Sequence, residues 1–322
     1  MTVCVNERCW RPECAMVAGM LVLAGSIGYL AGGKAAGQVA LALLLTASVL
    51  LGTRCLPKGT PLCWYHSLQL RRAIARGDIR AWYQPLVRYG PARISGCEML
   101  ARWHSGGRVL HVEPFLVRAG GGMQVLVSRL LIRQSLRDLR YMADALPAGF
   151  VFSFMVRAAH AGSRGFIRDC LRLQKLLAAQ SGLLMVGISA GEDFSRAQDG
   201  AANLAMLRAA GVMVFLDNLE GGIATQHCPD RLPVDGVLLD CRHVQMTGMA
   251  ARHAWLTGLG IRTARRMSLE VMATGVDTRS QHDWLLLHDV LWQQGEWFSP
   301  ALRAVQLKFA LIHPLSRDGR IW

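Results

Sequence analysis

The sequence predicts an α/β protein: a TIM-like (β/α)8 barrel with one antiparallel first strand, preceded by an N-terminal transmembrane helical hairpin. Three observations lead there. Eight apolar runs of strand length recur between Ala81 and Trp292, helical patterns separate most of them, and a stretch almost free of charge comes first. Hydrophobic residues make up 52% of the 322 and charged residues 18%, enough apolar surface for a sizeable core and too much for a disordered chain. The 36 Lys and Arg against 22 Asp and Glu leave +14, which points to acidic partners such as lipid head groups, nucleotides or nucleic acid. Nine cysteines without a CxxC or a zinc-like spacing read as reduced thiols of a cytosolic domain rather than a disulfide scaffold.

Residues 1–13 form a cytoplasmic tail in this reading, and residues 14–53 two transmembrane helices. From Cys14 to Thr53 the one charged residue is Lys34, which leaves room for two spans of about 17–20 residues. Ala15–Ala31 is the first, Val39–Leu51 with its flanks the second, and Gly19, Gly25 and Gly28 allow close helix approach. One span plus an interfacial helix is the alternative, since the second run is short. Arg8 and Arg11 before the hairpin, with Arg54 and Lys58 after it, place both ends in the cytoplasm. The expected location is therefore the bacterial inner membrane, multi-pass, with the folded domain cytoplasmic. Residues 54–66, with Pro57, Gly59 and Pro61, read as a linker. Leu68, Ile74 and the cluster Arg71, Arg72 and Arg76 read as a basic juxtamembrane helix attracted by anionic lipid.

Residues 67–316 have the size of a barrel domain, roughly 250 residues, and 317–322 are a C-terminal tail. Strands are predicted at Ala81–Val87, Ile94–Ala101, Phe150–Val156, Leu183–Ser189, Val212–Asp217, Gly236–Asp240, Leu269–Ala273 and Asp289–Trp292. Helices are predicted at Val125–Leu146, Phe166–Gln180, Ala201–Ala210 and Gln281–His288. Only the first two runs are joined by a short turn, Tyr89-Gly90-Pro91, which makes a hairpin and hence one antiparallel strand.

Six motifs in order then carry a resemblance. Tyr83-Gln84-Pro85-Leu86 is followed by Gly96-Cys97-Glu98-Met99-Leu100-Ala101-Arg102-Trp103. Next come Leu216-Asp217-Asn218-Leu219, then Leu232-Pro233-Val234-Asp235 with Leu239-Asp240. Ala273-Thr274-Gly275-Val276-Asp277-Thr278 and Gln294-Gly295 with Phe298-Ser299-Pro300 complete the series. Together they resemble the EAL domain family of cyclic di-GMP phosphodiesterases over Ala81–Leu302. The resemblance implies an EAL-type barrel in which two divalent ions, Mg or Mn, help a water attack one phosphodiester. Such chemistry needs a cluster of hard oxygen ligands at the C-terminal ends of barrel strands.

Glu98, Asp217 and Gln294 match that set. Met155 stands at the family's asparagine, Gly187 and Ala190 at the two glutamates of Glu-Ile-Thr-Glu, and Asn218 at the second aspartate. Leu238 stands at the lysine and Thr274 at the glutamate of Ala-Glu-Gly. Two carboxylates cannot offset the repulsion of two dications about 4 Å apart, and Met and Leu supply no hard oxygen. Glu192, Asp193, Glu220 and Glu270 lie near lost ligands but read as loop or cap carboxylates. No catalytic residue and no cofactor are expected. Glu98 and Asp217 would hold Mg or Mn only in a residual phosphodiesterase. Nucleotide contacts implied by the resemblance fall on Gln84, Pro85, Leu100, Arg102 and Phe298; an equally weighted reading makes them plain barrel architecture.

Gly187-Ile188-Ser189-Ala190-Gly191 also matches G-x-S-x-G, with Gly120-Gly121-Gly122 upstream and Asp240 and His282 or His288 downstream as partners. The helix due at Gly191 is delayed, and the match reads as chance wear of the Glu-Ile-Thr-Glu position. The functional expectation is a membrane-anchored, degenerate EAL-domain regulator of motility, biofilm or virulence, working by nucleotide sensing or protein–protein interaction. Its expected partners are the inner membrane, cyclic di-GMP, a regulatory protein of unknown identity and a second copy as homodimer. Two alternatives stand beside it: a residual phosphodiesterase, and a lipid- or RNA-binding module using the basic surface.

Overall fold

The computed structural model describes residues 60–89, 93–163, 165–189, 200–217, 234–240 and 250–313. The chain divides into two units, Met1–Tyr65 and His66–Trp322. The expected tails, the hairpin of residues 14–53 and its alternative lie outside the described residues, as do Ala190, Glu192, Asp193, Asn218 and Glu220. Among the described residues no helix is long and apolar enough to cross a membrane.

The first helix, α1 (Thr60–Arg76), takes in residues 60–66 that the sequence assigned to the linker. Pro61 misled that reading. In a first helical turn a proline costs nothing, because its missing N–H would have no helical partner. The strands β1 (Ile79–Arg88) and β2 (Arg93–Ser105) pair antiparallel, with Gln84 opposite Glu98. A second hairpin, absent from the sequence reading, carries β2 into β3 (Arg108–His111). Gly106 and Gly107 form its two-residue turn with φ of +56° and +76°, a conformation that glycine adopts without a Cβ penalty.

Helices and strands then alternate. α2 (Glu113–Ala119) and α3 (Gly121–Met142) lead to β4 (Val151–Val156); α4 (Ala158–Ala161) and α5 (Phe166–Ala178) lead to β5 (Leu183–Ser189). α6 (Gly200–Ala209), β6 (Met213–Asp217), β7 (Gly236–Asp240), α7 (Ala250–Arg266) and β8 (Glu270–Thr274) follow. α8 (Arg279–Leu287), β9 (Trp292–Gln294) and α9 (Ala304–Ile312) complete the described chain. The last strand is displaced from its predicted place at Asp289–Trp292. Asp289 is instead the left-handed residue (φ +52°) that ends the turn after α8.

The strands close in the order β1-β2-β4-β5-β6-β7-β8-β9 and back to β1, with β3 hanging from β2 outside the ring. β1 runs antiparallel to both neighbours and the other ring pairs are parallel, as the short first turn predicted. Because strand side chains alternate, the barrel has two cores. Leu86, Val151, Met185, Phe215, Leu238 and Met272 fill the inside of the ring. The intervening residues, among them Phe152, Phe154, Val186, Val214 and Val237, meet the helices outside. α3 offers them Met123, Val127, Leu131, Ile132, Leu139 and Met142, one stripe at helical spacing.

Tyr83 ties β1 to α3. Its buried hydroxyl donates to Asp138 at 2.6 Å and lies 3.2 Å from Ser135 Oγ, and burial pushes its pKa far up, so it stays a donor. Tyr83→Phe leaves Asp138 without that donor and is expected to cost about 1–3 kcal/mol. Urea unfolding of the two proteins checks this; equal midpoints would remove the bond from the account.

Candidate functional site

Alternation decides which side chains reach the mouth of the barrel, its C-terminal strand end. Counting by twos from the inner core puts Gln84, Glu98, Ser153, Met155, Gly187 and Asp217 on the inside of the ring. Leu238, Asp240, Thr274 and Gln294 join them from the last three strands. The three remnants expected from the sequence, Glu98, Asp217 and Gln294, therefore share one rim with the positions expected to be lost. Antiparallel pairing sets Gln84 beside Glu98, and the β1–β9 pairing sets Gln294 one step away, opposite Leu86.

Gln294, only 2% exposed, donates through Nε2 to Glu98 Oε2 at 2.5 Å and to Gln84 Oε1 at 3.3 Å. Gln84 Nε2 in turn donates to the Ser299 carbonyl at 3.4 Å. Glu98 keeps partial exposure, yet its carboxyl is deep enough that desolvation dominates and raises its pKa to about 7. The Gln294 hydrogen bond works against that rise and Asp217 and Glu113 add to it, while Arg102 opposes it least. Asp217 and Glu98 thus feel each other as like charges across the rim.

The positions expected to have lost a ligand are filled against one another. A Cβ built on Gly187 would lie 2.3 Å from Met155 Sδ and 3.2 Å from Leu238 Cδ1. The methionine that replaces one expected ligand therefore occupies the room of a second, and the leucine at the lysine position packs against the same spot. Thr274 turns its hydroxyl to the Leu239 carbonyl at 3.4 Å. Among the described residues the inner face is apolar at Met155 and Leu238, which supply no hard oxygen to Mg or Mn, and one oxygen of Glu98 is held by an amide N–H. Among the described residues no three His, Cys, Asp or Glu side chains gather as a metal site.

The residues that the resemblance implies as nucleotide contacts lie on different faces of the barrel wall. Leu100 and Arg102 continue the Glu98 face of β2, and Arg102 Nη1 donates to the Ala101 carbonyl at 3.0 Å. Burial lowers the Arg102 pKa, and Glu113 and Glu98 oppose that. Pro85 is buried on the helix-facing side of β1, opposite in sense to Gln84. Phe298 is 3% exposed in the outer core, edge-on to His282 at 5.3 Å, the packing of the barrel-architecture reading. Ser153 is a rim residue that the sequence reading left unassigned, and Asp240, named there as a motif member and as the acid of the G-x-S-x-G match, shares the rim; counting two back from Met155 and two on from Leu238 finds both. Ser153 Oγ donates to the Cys97 carbonyl at 3.3 Å.

The G-x-S-x-G match is not a triad. Ser189 ends β5, whereas His282 bonds Gln293 of β9 at 2.8 Å, with β6, β7 and β8 between them in the ring. His288 bonds the Trp284 carbonyl at the far end of α8. A cavity of about 380 Å³ lies at the opposite end of the barrel, lined by Arg88, Arg265, Glu270, Asp289 and Trp292 among others. Its charges offset one another and Arg88 rests on the Trp292 ring at 5.4 Å, so the mouth, not this cavity, is the candidate site. Glu270 belongs to that far end and to no ligand position.

A closed eight-stranded barrel with an inverted first strand, its mouth at the C-terminal strand ends, defines a class of α/β-barrel domains. The EAL domain family matches residues 67–301, and the chain belongs to it. The probable cyclic di-GMP phosphodiesterase PdeG of Escherichia coli K12 is 26% identical over 240 residues, 74% of this chain and 47% of PdeG, so the match spans about half of that relative. An uncharacterised Mycobacterium tuberculosis H37Rv protein is 29% identical over 251 residues, 74% of this chain and 80% of the relative. Among solved structures, the Xanthomonas citri FimX EAL domain in complex with cyclic di-GMP superposes with a TM-score of 0.60 at 16% identity. It covers 74% of this chain and 94% of its own, a likeness of fold.

Proposed function

We propose that this EAL-domain protein acts in cyclic di-GMP signalling as a regulator, through nucleotide sensing or contact with a protein partner, and not by hydrolysis. The observation that carries the reading is the apolar filling of the rim, where Met155 and Leu238 occupy the space over Gly187. The family's reaction needs dications there, and this filling supplies neither charge nor hard oxygen. Gln84 and Arg102 remain on the inner face of the rim, and a guanidinium fork suits a phosphodiester. Attachment to the inner membrane through residues 14–53, a cytoplasmic domain and a homodimer belong to the same proposal, with motility, biofilm or virulence machinery as targets.

The test uses full-length protein and labelled cyclic di-GMP, without metal and with Mg or Mn, separating bound, free and cleaved nucleotide. Binding without cleavage is expected, and Arg102→Ala is expected to weaken it by roughly 10- to 100-fold. Cleavage that disappears in Glu98→Ala would establish the residual phosphodiesterase instead. Neither binding nor cleavage would leave a protein-interaction scaffold.

A further inference from the structure

We infer that the outer face of helices α3 and α5 is a docking surface for an anionic phospholipid membrane. The inference is independent of what the barrel mouth binds. α3 carries Arg129, Arg133, Arg137 and Arg140 against one carboxylate, Asp138; α5 carries Arg168, Arg172 and Lys175 against one, Asp169. Both carboxylates are turned to internal work. Asp138 accepts from the buried Tyr83 hydroxyl, and Asp169, with a side chain only 12% exposed, accepts from Arg129 at 3.1 Å. That second bond also fastens the two helices side by side. What remains outside is cationic.

The cations are arrayed in stripes. Arg133, Arg137 and Arg140 stand at i, i+4 and i+7 on α3, and Arg168, Arg172 and Lys175 repeat the spacing on α5; all six are exposed. Among the described residues no carboxylate pairs with Arg133, Arg137, Arg140, Arg172 or Lys175. Exposed apolar side chains are set among them, Leu126 at 41% on α3 and Leu171 at 40% on α5, while Tyr141, 50% exposed at the end of α3, lies under the Lys308 ammonium at 4.7 Å. Elsewhere Arg265 faces Asp289 and Arg279 faces Asp283, while α7 keeps Arg262 and Arg266 exposed and α1 keeps Arg71 and Arg72. What sets α3 and α5 apart is that their cations stand in two stripes on helices fastened side by side.

Cations alone would suit any polyanion. Leu126 and Leu171 between them favour lipid, because such side chains settle at the boundary of head groups and acyl chains while arginines hold the phosphates. Two side-by-side helices on the outside of a barrel also make a broad face rather than a groove that could follow a nucleic-acid strand.

Arginine footprinting with phenylglyoxal on the full-length protein tests the surface residue by residue. Vesicles of phosphatidylcholine alone are compared with vesicles containing phosphatidylglycerol. Modification of Arg133, Arg137, Arg140 and Arg172 is expected to fall about five-fold with the anionic lipid and to recover in high salt, with Arg279 unchanged. In a protein carrying Arg133→Glu, Arg137→Glu and Arg172→Glu, Arg140 is expected to lose its protection while the circular dichroism spectrum stays that of the parent. Equal modification in both vesicles would overturn the inference. Protection by added RNA but not by phosphatidylglycerol would also overturn it and assign the face to nucleic acid.

Discussion

Gly187→Glu, the change that would return a carboxylate to the rim, is expected to destabilise the protein by roughly 3–5 kcal/mol and to restore no hydrolysis. Two costs add. The new Cβ meets Met155 Sδ at 2.3 Å, so Met155 must leave its place, and forcing extra volume into a packed core costs about 1–3 kcal/mol. The new charge then enters an apolar layer beside Leu238, on a rim where Glu98 and Asp217 already repel. A smaller change separates these costs. Gly187→Ala carries the steric part alone, about 1–3 kcal/mol, and in a Met155→Ala background that part should nearly vanish. The cycle of four proteins, followed by urea unfolding, is expected to give a coupling of at least about 1 kcal/mol between the two positions. If alanine at 187 cost the same in both backgrounds, the two residues would not share the space.

On acidification His160 is expected to weaken the fold, against an opposite contribution from Glu98, whose pKa is raised to about 7 and which is common to the two proteins compared below. His160, on α4, is fully buried, neither ring nitrogen has a hydrogen-bond partner among the described residues, and the ring lies edge-on to Phe166 at 5.0 Å. Burial, the largest cause, pulls its pKa down to about 4; Asp169 opposes this and Arg129 reinforces it. Its pKa in the unfolded chain is near 6.5. Between those values the unfolded chain binds the proton and the folded one does not, so stability falls as pH drops from 6.5 towards 4. At pH 4.5 the loss from this group is roughly 2–3 kcal/mol relative to pH 7. His160→Leu should match the parent or exceed it at pH 7, since two unpaired buried nitrogens are gone, and should lose less on acidification. Urea midpoints of both proteins at pH 7 and pH 4.5 decide it. Parallel losses in the two would show that carboxylates, and not His160, control the acid limb.

The parts of this fold that could be read from sequence are those whose signal is local. Strands such as Leu183–Ser189 and Val212–Asp217 are apolar runs bounded by helices, and the antiparallel start follows from one short turn. The ninth strand escaped because its buried residues are polar: Gln293 and Gln294 are 1% and 2% exposed and satisfy each other's surroundings through hydrogen bonds that no periodicity reveals. β3 escaped for the opposite reason, since Arg108 and Val109 are exposed and give no apolar pattern. At the mouth, matching motifs placed Glu98, Asp217 and Gln294 on one rim. It could not say which face of β1 holds Pro85, or that Phe298 is sealed against His282. Those are matters of register and packing, set by residues far apart in the chain.

The narrowness of the β1–β9 junction has a consequence of its own. The ring is shut there by three residue pairs, Leu86 with Gln294, Val87 with Gln293 and Arg88 with Trp292, and β9 is joined to β8 by two more. β9 is thus the least paired strand described in the ring, and there a barrel breathes first, because little backbone pairing must be given up to part it. Gln294 sits on that junction and reaches across it to Gln84 and Glu98. The contents of the mouth and the opening of the seam are therefore one linked equilibrium: whatever grips Gln84 and Gln294 together acts as a clasp, and its grip is legible as slower amide exchange along β9.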